Sequence, residues 1–336
     1  MLLYTNEQIE HVKSMHKQFE DSQKTMAKNF NIPNDGAGDR MFSGNALTVP
    51  YDSWKVWDKE AVEIQRDVLA VFSDMASIST PMSLAHTLHY FETHSDSGSS
   101  NISLDGRRQA RTDQPVIEYH STPLPLINSS FNFGWRQMLT MKASGTTLDS
   151  TAQNNAVRQL ASRMERMVLD GEPSINVGGS TVYGLRTAPN RITGTHGIDI
   201  NGATGADIVK MFKSLIQAFH AKNYYTPVTI YMNFSDWFYM GATEYTANYP
   251  KKIIDVVMEI PGIDKIVPAS LVNANEVFGL CKRRDVYSIL NGMPITTRAF
   301  TRLRPEDDYV FSVMAAVAPE FKFDANKQAG YAQFTK

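Results

Sequence analysis

The sequence predicts an α+β fold whose largest elements are one long β-hairpin and one long helix. Three observations predict it. Strand-like runs flank a polar loop, Ser95 to Gln114; a helical repeat with cap residues at both ends runs from Ser150 to Gly171; and from Gly202 onward helical and strand patterns alternate.

Thr5 and Gln8 stand at capping-box spacing, which closes orphan amides at a helix start. Ile9, Val12, Met15, Phe19 and Met26 then form a narrow apolar stripe, and Asn34-Asp35-Gly36-Ala37-Gly38 is a turn or linker. So narrow a stripe binds a helix weakly to its own domain, so residues 1–50 are expected to form an arm. Trp54, Trp57, Ala61, Ile64, Val68, Leu69 and Phe72 predict a second helix. Met82, Leu84, Leu88 and Tyr90 then alternate with small or polar residues, which is strand periodicity, and Val116 to Tyr119 returns as a second strand. The loop between them carries only Ile102, Leu104 and Ala110 as apolar residues, too few to fix it. A loop this long is ordered by something else, and a neighbouring copy of the chain is the expected agent. Its tip holds Arg107, Arg108 and Arg111, which suit fixed pairing with acidic groups. Contact with another subunit is the first reading, a solvated loop the second, and nucleic-acid phosphates the last.

Leu124, Leu126, Ile127, Phe131, Phe133 and Trp135 follow, partly at period two. In the long helix Ser150 and Gln153 again have capping-box spacing, and Gly171 sits where a left-handed C-cap belongs. Val157, Leu160, Ala161, Met164, Met167 and Val168 recur on one face, with Arg158, Arg163, Glu165 and Arg166 off that stripe. Further on, Ile208 to Phe219 predicts a helix, Val228 to Met232 a strand, Ser235 to Gly241 a short aromatic helix and Ile253 to Glu259 another helix. Strands are expected at Ile263 to Val267, ended by Pro268, and at Val277–Leu280, Val286–Leu290, Ile295–Phe300, Val310–Val317 and Phe321–Phe323.

At 336 residues the chain has room for two domains, and its net charge of -2 lacks the basic surplus of a dedicated nucleic-acid binder. With a single cysteine, Cys281, no intrachain disulfide or cysteine-based zinc site can form. Met1 to Glu10 has no signal-peptide pattern, and no apolar run is long enough for a membrane helix, so synthesis in a cytosol is expected. His86, His89 and His94 lie close in sequence, but on a strand His86 and His89 face opposite ways, so no shared metal is expected. Serine-nucleophile and phosphate-loop motifs are absent; Glu306, Asp307 and Asp308 read as a solvated turn, and Cys281 as a small residue near a strand. Neither cofactor nor catalytic residue is expected.

The order of motifs resembles a known family. Pro123-Leu-Pro-Leu-Ile-Asn-Ser-Ser-Phe131-Asn-Phe133-Gly-Trp135-Arg136 is similar to the segment before the spine helix in major capsid proteins of tailed phages, a group related to encapsulin shells. Ser144-Gly145, Leu148-Asp149, Leu169-Asp170-Gly171, Tyr183-Gly184-Leu185 and, earlier, Leu47-Thr-Val-Pro50 with Trp54 and Asp58 continue the likeness. The resemblance implies the Johnson fold. Its parts would be an N-terminal arm (1–50), a first piece of the peripheral domain (51–87), an extended loop (88–122), the peripheral domain with the spine helix (123–199, helix 150–171), an axial domain (200–291) and C-terminal strands returning to the peripheral domain (292–336). It implies a non-enzymatic subunit that forms pentamers and hexamers of an icosahedral shell around double-stranded DNA. Implied partners are the chain itself, portal, scaffolding and decoration proteins, and packaged DNA touched non-specifically at the inner surface, with no membrane. The implied location is the virion, assembled in the host cytoplasm. One departure matters: no lysine occurs between Lys59 and Lys142, so lysine-based cross-linking through the loop is not expected. An encapsulin-type shell around an enzyme cargo is the alternative, and an α/β enzyme with a cleft near Ser235 is a third reading.

Overall fold

The computed structural model describes residues 70–97, 102, 104, 114–144, 151–246 and 248–336, with backbone alone at 140–144 and 151. The arm helix, most of the second predicted helix, Ser150 and Arg107, Arg108 and Arg111 lie outside the described residues. In chain order the elements are α1 (Ala70–Met75), β1 (Ser79–Pro81), β2 (Leu88–His94), β3 (Ile117–Pro123), β4 (Leu126–Phe133), α2 (Trp135–Ser144) and α3 (Thr151–Asp170). Then come β5 (Gly171–Val177), β6 (Ser180–Tyr183), β7 (Ile192–Thr195), α4 (Gly205–His220), β8 (Val228–Asn233), α5 (Phe234–Ala242), β9 (Glu244–Thr246), β10 (Tyr249–Lys252) and α6 (Ile253–Met258). The last are β11 (Ile263–Ala269), β12 (Val277–Cys281), β13 (Tyr287–Ala299), β14 (Tyr309–Phe321) and β15 (Tyr331–Thr335).

Of the described residues, 132–144 and 299–310 form one compact unit and the rest form another. In the smaller unit the Trp135 amide donates to Asp308, and the Arg302 guanidinium lies 4.0 Å from the Tyr309 ring centre. Asp307 closes its turn by accepting from the amides of Leu303 and Arg304.

The larger unit is built around a five-stranded sheet, order β11-β8-β12-β15-β7. Residues Val228 to Met232 of β8 are all buried, so the expected alternation gives way to a strand covered on both faces. On one face Phe219 of α4 fills the space over Gly279; on the other the Tyr231 hydroxyl donates to Asp74 of α1 at 2.8 Å. Thr204 caps α4 by accepting from the Asp207 amide, and Asn233 caps α5 by accepting from Ser235. A second sheet has the order β1-β13-β14-β4, in which Phe131 stacks on Phe311 at 5.1 Å.

Helix α3 turns its apolar stripe inward: Val157, Leu160, Ala161 and Val168 are fully buried, and Met164 and Met167 nearly so. Each of these side chains other than Ala161 contributes roughly 1.5–3 kcal/mol relative to exposure. The helix stops at Gly171, whose φ of +78° only glycine adopts without strain. A side chain at Gly184 would also strike the backbone of Leu169 to Gly171, so two glycines let the β5–β6 hairpin spring directly from the helix end. Gly178 and Gly179, both at positive φ, form its two-residue turn.

Four expectations are corrected. Met82 and Leu84 are not strand residues. The chain turns there, with His86 donating to the Ser83 carbonyl and Ala85 to the Ser83 hydroxyl, and the strand starts at Leu88. Pro268 does not end β11; it lies in an outermost strand, where a missing amide proton need cost no ladder bond. The four strands expected between Val286 and Phe323 are two long ones. β13 runs through Pro294 because its pairing with β1 has already ended at Asn291. β14 lies in the four-stranded sheet, while β15 inserts between β12 and β7, burying Tyr331 and Phe334. Finally, Glu165 is buried beside the stripe it was expected to avoid, and its carboxylate accepts from the amides of Val71 and Phe72, capping α1.

Candidate functional site

The β2–β3 hairpin forms a two-stranded sheet of its own. Its register runs from Leu88↔Pro123 to His94↔Ile117, so directly paired residues share a face. The inner face carries His89, Phe91, Thr93, His120 and Thr122. His89 Nδ1 is 2.7 Å from Oε1 of Glu320, a carboxylate with no solvent exposure, and Lys322 Nζ lies 3.4 Å from its other oxygen. Phe91, His120 and Phe323 form a ring cluster with centroids 4.7 to 5.9 Å apart. On the opposite face Ser121, the partner of Tyr90, meets Ser180 of β6 through their hydroxyls at 2.5 Å. The hairpin is therefore held at its root.

Its outer face is different. Tyr90 is 59% exposed, Tyr119 65% and Ile117 45%, and Val116 beyond them is 62% exposed. Each keeps 45% or more of its surface exposed. Exposed apolar patches on a folded chain are where contact surfaces are commonly found.

Elsewhere in the larger unit, two ionic clusters fix α1 and the end of α3. Asp74 takes hydrogen bonds from Lys265, Lys282 and Tyr231. Desolvation pushes this carboxyl up, but those three bonds push it further down, so its pKa lies below the ordinary 3.8. One carboxylate cannot balance two ammonium groups equally. Burial pulls Lys282 below the usual amine range, while Lys265 is raised by its bond to Asp74. At the other cluster Arg186 donates to both oxygens of Glu276 and to Asp170, and Gln333 donates to Glu276 at 2.7 Å. This pins the helix end to the five-stranded sheet.

Among the described residues, the candidates for catalysis are engaged structurally. The Ser235 hydroxyl donates to Asn233 at the start of α5, so it serves the helix cap. A groove of about 380 Å³ is lined by Arg191, Thr193, Gly194, Thr195, Gln333 and Thr335, and has neither nucleophile–base pair nor carboxylate. The predicted histidines are kept apart. His86 lies in the turn, His89 faces inward and His94 sits at the strand end beside Glu92. Among the described residues no group of three His, Cys, Asp or Glu could hold a metal ion, and no helix is long and apolar enough to cross a membrane. Sequence reasoning missed the β5–β6 hairpin, although Gly178-Gly179 between Val177 and Ser180 was its signal.

Three solved structures share this architecture. A virus-like particle from Pyrococcus furiosus matches with a TM-score of 0.59 and 15% identity, over 85% of this chain and 100% of that one. The capsid of Myoviridae phage XM1 matches at 0.63 and 11%, over 79% and 91%. A structure from Mycobacterium phage Adephagia matches at 0.58 and 9%, over 80% and 90%. At these identities the likeness speaks for the fold, and the fold is that of tailed-phage capsids. No curated protein matches the chain. Residues 44–332, most of the length, match a single family, and the chain belongs to it: the family of unknown function DUF6260.

Proposed function

We propose that this chain is the subunit of a capsid shell, assembling with copies of itself into pentamers and hexamers that enclose the double-stranded DNA of a tailed phage. The observation that carries the reading is the β2–β3 hairpin, rooted on Glu320 and Phe323 and bare on the face bearing Tyr90, Ile117 and Tyr119. A neighbouring copy is the partner always present at matching concentration, and strands are the element best suited to lie across another subunit. In this reading 88–122 is the extended loop, α3 the spine helix, the five-stranded sheet with α4 to α6 the main body of the axial domain, and Arg107, Arg108 and Arg111 pair with carboxylates next door. The role is structural. Portal, scaffolding and decoration proteins would be further partners, and assembly would take place in the host cytoplasm before the subunit resides in the virion. The test is electron microscopy and sedimentation of the purified full chain. Closed shells or capsomer rings are expected; a monomer at every concentration would overturn the reading.

The second reading is an encapsulin-type shell around an enzyme cargo. It draws on the match that spans the whole of the Pyrococcus furiosus particle chain. Particles purified with a stoichiometric enzyme and no DNA would favour it.

A further inference from the structure

Helix α3 has an outer face as unusual as its inner one. Asn155, Arg158, Gln159, Arg163 and Arg166 are exposed along it, with Ser162 half-buried between them. Apart from Asp170 at its last position, the helix has one acid, Glu165, and that side chain is turned inside to cap α1. Arg163 is paired with Glu172. Arg158 and Arg166 have no acidic partner among the described residues. The chain as a whole is close to neutral, so a carboxylate-free stripe of this kind reflects local segregation of charge.

We infer that this face of α3 binds the phosphate backbone of double-stranded DNA without regard to sequence. The stripe from Asn155 to Arg166 is about 16 Å long at 1.5 Å per residue. Duplex DNA carries one negative charge per roughly 1.7 Å of its axis, so the stripe faces several phosphates at once. Guanidinium groups bind phosphate in two-pronged fashion, and the interleaved amides and hydroxyl are further donors to phosphate oxygens. The same face exposes no large apolar side chain, which is what an interface with an acidic protein would want at its centre. The inference rests on the shell reading, which is what supplies the packaged duplex.

The experiment measures binding of a random-sequence 30-base-pair duplex to the full-length chain across a salt series, with sedimentation run in parallel. Changing Arg158→Gln and Arg166→Gln together should reduce the slope of log affinity against log salt by about 1.8, from roughly 0.9 for each phosphate no longer neutralised. Arg158→Lys with Arg166→Lys should keep most of that slope. Lys210→Gln with Lys213→Gln, on the exposed face of α4, should leave it unchanged. Should the double glutamine chain fail to fold, Arg158→Gln alone should lower the slope by about 0.9. An unchanged slope in the arginine variants, an equal fall in the α4 variant, or equal competition by polyglutamate at matched charge overturns the inference. Shell formation is read separately: particles that form normally while the slope stays unchanged sink this inference and leave the shell reading intact.

Discussion

At the scale of single residues, stability rests on a few buried groups whose surroundings are named. Leu160 is fully buried in the centre of the α3 stripe. Leu160→Asp places an unpaired carboxylate there at a cost of several kcal/mol, comparable with the whole stability of a domain. The variant is expected in the insoluble fraction, and a thermal melt like the wild type would show that the stripe faces elsewhere. Glu165→Ala removes the acceptor for two α1 amides and should cost about 1–3 kcal/mol, measured by denaturant unfolding. Burial raises the Glu165 pKa despite those two amides, so its contribution is present at low pH and is lost as pH rises through the raised value. Asp74 behaves the opposite way. Its folded pKa lies below the ordinary 3.8, so its contribution is present above that value and is lost as pH falls through the lower one. Asp74→Asn should therefore flatten the acid side of the stability curve: between about pH 5 and about pH 3 the wild type should lose more melting temperature than the variant. Parallel curves would remove Asp74 from the account.

At the scale of elements, the hairpin divides into a root packed on its own chain and an outer face left largely exposed. Tyr90→Ser with Tyr119→Ser takes two exposed rings from that face and leaves the His89–Glu320 and Phe91–Phe323 contacts in place. The monomer's circular dichroism and melting temperature should hold within about 0.5 kcal/mol of stability, as for most surface changes, while particle yield by sedimentation falls. Unchanged yield would make the face a solvated surface. The arginines of the loop make a parallel case. Replacing Arg107, Arg108 and Arg111 with alanine should leave the subunit folded and make assembly weaker and more salt-sensitive. Exposed ion pairs contribute only ~0.2–1 kcal/mol each, but every subunit of a shell repeats the loss.

At the scale of the whole molecule, the shell reading makes a prediction about covalent state. The chain has no lysine between Lys59 and Lys142, so the loop cannot form a lysine-based isopeptide bond with a neighbour. Boiled particles should run as a single band near 37.7 kDa. Ladders that survive detergent and reductant would mean another nucleophile links the subunits.

The sequence by itself determined the elements whose physics is local. The α3 stripe from Val157 to Val168 and its stop at Gly171 follow from helical period and from the left-handed freedom of glycine; β2 from Leu88 on and β3 are legible as strand runs on either side of a polar loop, though Met82 and Leu84 extended the first too far. The order of these motifs was enough to suggest the capsid fold. Tertiary structure alone decided what depends on residues far apart in the chain. Glu165 looks like a solvent-facing acid by periodicity, because nothing nearby reveals that α1, 93 to 94 residues upstream, will present two bare amides to it. Pro268 and Pro294 look like strand ends until the neighbouring strand is known to be missing on one side. The place of β15 between β12 and β7, and so the split of the C-terminal strands between two sheets, is a matter of pairing partners. Periodicity reports which faces a segment offers, while hydrogen-bond partners and ion pairs are chosen only when the packed chain brings those faces together.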